Sequence, residues 1–190
     1  MEHSKSIKRL ASLFKSMVKN YNSFGNLWKN IPLAHEAFAI MTDELPEVLP
    51  GEYETPEERA KLMMNMLDVC NELDMPRFCI EVREFIDAIA PNDINSLKLK
   101  KLRDFIDMSI DGAKWCKTYG SHLRFDEVER TEEWEAVIYE VERRCASRLR
   151  FARKGMGFCF HYWSVKQDIL MGYGIEWSTP SQMNPGVMFD

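Results

Sequence analysis

The sequence predicts an all-α fold: an irregular single-domain bundle of six to seven helices with an extended C-terminal tail. Three observations predict it. Apolar residues recur at helical spacing through most of the chain. Helix starts and stops punctuate these stripes, with Thr55-Pro56, Asn92-Asp93 and Thr131 as starts and Pro91 and Gly120 as stops. Strand character is confined to residues 157–163, which are aromatic and bounded by glycine but have no partner strand.

The first helix spans Ser4 to Tyr21, with Ile7, Leu10, Phe14, Met17 and Tyr21 on one stripe and Lys5, Lys8, Lys15 and Lys19 mostly off it. Phe24-Gly25-Asn26 forms a joint. A second helical region runs from Leu27 to Leu45, and Pro32 opens its main helix. An acidic loop at 46–56 follows, carrying Pro46, Pro50, Gly51 and Pro56, and its charge reads as a solvated face. Thr55 and Glu58 make a capping box around Pro56. That helix turns Ala60, Met63, Met64 and Leu67 inward. Met75, Phe78, Cys79, Val82, Phe85, Ile86 and Ile89 give the next stripe, which Pro91 ends. One longer helix is expected from Asn92-Asp93 to Tyr119, closed by Gly120. Residues 120–130 are a polar connection with a short turn at Leu123–Phe125.

The remainder organises the chain. Thr131 caps a long helix that carries Glu132 and Glu133 in its first turn and Arg148, Arg150, Arg153 and Lys154 towards its end, the order the macrodipole favours. Gly155-Met156-Gly157 breaks it. The helix Phe158–Tyr173 is apolar almost all round and is therefore expected at or near the centre. The domain is placed at 1–174. The tail, 175–190, holds Ile175, Trp177, Met183, Val187, Met188 and Phe189; too apolar for a disordered tail, it is expected to pack on the body or on a partner.

At 190 residues, 45% hydrophobic and 29% charged, the chain is long enough for a core without staples. A net charge of −5 weighs against nucleic acid as the main partner. Cys70, Cys79, Cys116, Cys145 and Cys159 are widely spaced without a C-x-x-C pair, so free thiols in a reducing, cytoplasmic compartment are expected. No apolar run reaches the roughly 20 residues that cross a bilayer, so no transmembrane segment is expected. Twelve methionines either fill core gaps or line adaptable surfaces, and the count does not decide between them.

Catalytic motifs are missing. His35-Glu36 lacks the second histidine of a zinc motif, and the glycine pair at 155 and 157 lacks any nucleotide-binding spacing. His161, Ser164 and Asp168 lie side by side on one helix, which does not converge them as a triad. No metal or cofactor is expected. The leading expectation is a non-catalytic interaction or accessory protein with a protein partner or homo-oligomer, using Trp177, Met183, Val187, Met188 and Phe189. The alternative is nucleic acid or another anion on a basic face made of Arg143, Arg150, Arg153 and Lys154. An enzyme or small-ligand binder comes third, with a pocket at Arg148, His161, Trp163 and Lys166. Arg148 is expected to need a buried carboxylate or a cluster of carbonyls, and Lys166 a buried acid or room to snorkel.

Overall fold

A computed structural model of the protein describes residues 3–44 and 55–189. Most of the expected acidic loop lies outside those residues. Among the described residues there are nine α-helices and no strand, so the chain is all-α. The residues at 157–163, with their strand character, enter a helix. The chain divides into two compact units, Met1–Arg103 and Asp104–Asp190, with the division falling inside one helix.

The first unit holds α1 (His3–Tyr21), α2 (Asn30–Ala39), α3 (Pro56–Asp68), α4 (Pro76–Ile89) and most of α5 (Asp93–Ile106). Helix α1 buries Leu10, Leu13 and Met17 and leaves Lys5, Lys8, Lys15 and Lys19 exposed. Helix α2 starts before Pro32, after a 3-10 turn at Leu27–Lys29. Pro32 thus sits in the first turn, where a missing N–H removes no helical bond. The helix runs on as a π turn at Ile40–Glu44. Helix α3 opens with the expected capping box, Thr55 accepting from the Glu58 N–H and Glu58 from the Thr55 N–H.

Five fully buried methionines, Met17, Met41, Met63, Met66 and Met75, fill this core with Leu13, Leu67 and Ile86. Two polar hubs are buried with them. Asn30 Nδ2 donates to the carbonyls of Met17 (3.0 Å) and Val69 (2.7 Å) while its Oδ1 accepts from Asn20. Arg83 donates to Asn95 Oδ1 at 2.9 Å and to Glu72, and Asn95 returns a bond to the Arg83 carbonyl. A buried polar group is tolerated when its bonds are made, and these hubs also join α1 to α2 and α4 to α5.

The second unit holds the end of α5, then α6 (Gly112–Tyr119), a 3-10 turn at Glu127–Arg130, α7 (Glu132–Arg148), α8 (Phe158–Met171) and α9 (Pro180–Met183). Here the structure corrects the sequence reading in three places. The single helix expected to Tyr119 breaks after Ile106. Asp107 accepts from the Ser109 N–H, and Asp111 accepts from the N–H groups of Ala113 and Lys114. Two aspartate side chains thus compete for backbone donors and win. Arg130, 1% exposed, secures the break by donating to the carbonyls of Ile110 (2.6 Å) and Asp107 (3.2 Å). Phe105, Trp115 and Phe125 pack ring on ring beside it at 4.8–5.5 Å.

The second correction is that α7 ends at Arg148, not at Lys154. The third is that α8 is not central: it buries only Lys166, Ile169 and Leu170. Its apolar residues cover most of the wheel, but one line of them packs along α7 and others, Phe160 and Met171 among them, stay exposed. The tail folds back within this unit as far as Asn184. Ile175 and Trp177 are buried, the Ser178 N–H donates to Asp126, and Asn184 exchanges two bonds with the backbone of Arg124.

Candidate functional site

The most unusual surroundings of any candidate residue belong to Lys166. Helix α8 carries it inward on the line that also holds Ile169 and Leu170. Its Nζ donates to Glu142 Oε1 of α7 at 2.8 Å. The same ammonium lies 4.9 Å from the centre of the Trp134 ring, 5.2 Å from Trp177 and 6.0 Å from Tyr162. The Tyr162 hydroxyl donates to the Glu142 carboxylate, 2.5 and 2.6 Å from its two oxygens. Three aromatic faces and one carboxylate therefore hold a cation, which is the composition of a cation-binding cage. The cation is the protein's own. Side chains of Lys166 and Glu142 are each 11% exposed.

Trp177 closes the cage from the tail. Its ring packs on Trp134 at 5.8 Å, and its indole N–H donates to Glu129 Oε1 at 2.9 Å. Its carbonyl accepts from Gln167 of α8. Burial pushes the Glu129 carboxyl up, against the lowering effect of the bonds from Trp177 and the Asp126 N–H. The carboxylate expected opposite Lys166 is thus present, and the lysine is tied to it rather than open to a substrate. A nucleophilic lysine needs a free lone pair in a cleft, and this one is roofed by indole.

The other candidates fall elsewhere. Arg148, the last residue of α7, is exposed, so the buried carboxylate or carbonyl cluster expected for it is not required. His161 is exposed and Trp163 half-buried. Trp177, expected to meet a partner, is buried within its own unit. Met183 is half-buried, whereas Val187 and Met188 are exposed. Arg143, Arg150 and Lys154 do not form one helical row, because only Arg143 lies in α7, where it makes a bidentate pair with Glu140. Arg150, Arg153 and Lys154 are exposed on the segment between α7 and α8.

Sequence reasoning missed Glu142, Glu129 and Trp134 as a group. Glu142 had a signal: it stands four residues after Ile138 and three before Cys145, inside the buried stripe of α7. Glu129 and Trp177 had none, since 48 residues separate them. Among the described residues no group of three or more His, Cys, Asp or Glu could hold a metal ion. No described helix is long and apolar enough to cross a membrane. A shallow groove of about 340 Å³ in the first unit is lined by Glu57, Ala60, Met64 and Ile89 to Asn92, without a nucleophile. None of the five cysteines is in a disulfide; Cys79, Cys116 and Cys145 are buried, and burial pushes the Cys145 thiol up to about 12. No family model, no curated protein and no solved structure matches the chain.

Proposed function

We propose that the chain is a non-catalytic cytoplasmic interaction protein that meets a protein partner through a surface built by α8 and the last tail residues. One observation carries the reading. The tail, having closed the cage, brings Phe189 against Trp163 at 5.1 Å, and Trp163 in turn packs on Phe160 at 5.4 Å. Phe160 is 48% exposed, Val187 45% and Met188 96%. Aromatic rings steadied by one another, with a pliable methionine beside them, are the materials of an interface centre. The titratable groups of the cage argue the same way, because they satisfy each other and leave none for chemistry.

The test is affinity capture from the native host's lysate with the wild-type chain and a Val187→Ser/Met188→Ser/Phe189→Ser variant of unchanged circular dichroism. The expected result is one protein held by the wild type, returned by reciprocal capture, and weakened about tenfold or more by the variant, as loss of interface anchors does. Equal retention by both forms sinks the reading.

A further inference from the structure

From Arg143 to Gln167 the sequence holds seven lysines and arginines and no acidic residue, in a chain of net charge −5. Three of the seven are engaged by residues outside 148–157. Arg143 is paired with Glu140, Lys166 with Glu142, and Arg144 lies over the Tyr173 ring. The other four, Arg148, Arg150, Arg153 and Lys154, are exposed and have no ion-pair partner among the described residues. Arg148 ends α7, and the other three lie on the short connection that leads from it to α8.

Two large apolar side chains stand on the same connection almost fully in solvent, Phe151 at 87% and Met156 at 96%. The backbone itself holds them out. Leu149 is buried and anchors the start, the Ala152 N–H bonds back to its carbonyl at 3.0 Å, and the Phe158 N–H bonds to the Gly155 carbonyl at 3.0 Å. Gly157 takes a positive φ of 78° to re-enter the helix. A turn held by its own backbone bonds thus presents two apolar side chains on the same short stretch as four basic residues without an ion-pair partner among the described residues.

We propose that this connection, 148–157, docks on a bilayer surface carrying anionic lipid, with Phe151 and Met156 entering the headgroup–acyl boundary and the four basic residues meeting lipid phosphates and carboxylates. A membrane interface offers both halves of what the surface asks for, fixed negative charge and an apolar layer just beneath it. Nucleic acid offers the charge but reads apolar side chains by stacking on flat rings. The Arg150 guanidinium already lies 4.5 Å from the centre of the Phe151 ring, and Met156 has no ring. Acyl chains accept a thioether and a phenyl alike. The residues differ from Val187, Met188 and Phe189, so this inference and the protein-contact surface stand or fall separately.

The experiment is flotation of the full chain with phosphatidylcholine vesicles, with and without phosphatidylserine, over a range of salt. Binding is expected only with phosphatidylserine, and it should weaken as salt rises. Phe151→Ser/Met156→Ser should reduce it about tenfold or more. Arg150→Gln/Arg153→Gln/Lys154→Gln should reduce it further, about fivefold for each charge removed. Every changed residue is exposed, so circular dichroism should not move. Phe24→Ser, which removes a side chain 96% exposed in the first unit without basic neighbours of this kind, should bind as wild type. No flotation with either vesicle overturns the proposal. So does equal binding to both vesicles. Retention of an oligonucleotide that the charge variant loses and the Phe151/Met156 variant keeps would also overturn it, in favour of nucleic acid.

Discussion

The two units handle the same residue in opposite ways. In the first, Met17, Met41, Met63, Met66 and Met75 are all 1% exposed or less. In the second, Met108, Met156, Met171 and Met188 are 60–96% exposed, and Met183 is half-buried. The flexible thioether fills an irregular apolar core in one unit and lies on the surface of the other. The second unit builds its interior from other materials: Trp115, Trp134 and Trp177, and the charged side chains of Arg130, Glu142 and Lys166. The number of methionines in a sequence thus says nothing about their role until burial separates the two populations.

Five substitutions sharpen this contrast. Lys166→Met should be the most damaging, at about 3–5 kcal/mol, because it leaves Glu142 buried with its charge uncompensated. Urea unfolding followed by tryptophan fluorescence reads it, and Glu142→Leu/Lys166→Met should regain much of the loss. Recovery below a quarter would mean the cage holds the unit by more than its ion pair. Met66→Ala should cost about 2–5 kcal/mol through lost packing and a cavity. Met171→Ala on the exposed face of α8 should stay within about 0.5 kcal/mol. Similar values at the two positions would erase the distinction between the units.

Thr131→Ala removes the side chain that accepts from the Trp134 N–H at the start of α7, and about 1 kcal/mol is expected from a lost cap. The smallest effect belongs to Glu129→Gln. The folded state raises this carboxyl, so folding favours its protonated form. That contribution is present at acid pH and is lost as pH rises through the raised value. The amide keeps an acceptor for Trp177 without the charge. The variant should therefore match or slightly exceed the wild type at neutral pH, and the gap should close as pH falls towards the ordinary glutamate range. A gap that widens on acidification would reverse the assigned sign.

Periodicity and caps made most of the helices legible. The Thr55 capping box, the Gly120 stop and the buried line of α4 stand where local chemistry put them. Local signals that compete were harder. Asp107 and Asp111 broke a stripe that hydrophobic spacing alone carried through, and a run of basic residues extended α7 past its last turn. Burial was hardest for α8, because composition round a helix sets how much surface could be covered, while neighbouring chain decides how much is. At the candidate site, Lys166 stood out as a lysine among apolar residues. Its partner Glu142 was hidden by being read as part of a charged helix, and its roof, Trp177, comes from a tail whose path no spacing rule describes. The tail's return in cis and the exposed turn at 148–157 were both products of tertiary structure.

The buried cysteines give each unit an internal clock. Cys79 of the first unit is fully buried, and Cys145 of the second is 1% exposed with its thiol displaced towards the inert form. An alkylating reagent reaches either sulfur only when its surroundings open. Labelling the native protein and resolving the two cysteines by mass would therefore time the breathing of the methionine core and of the lysine cage in one sample, with no reporter group added.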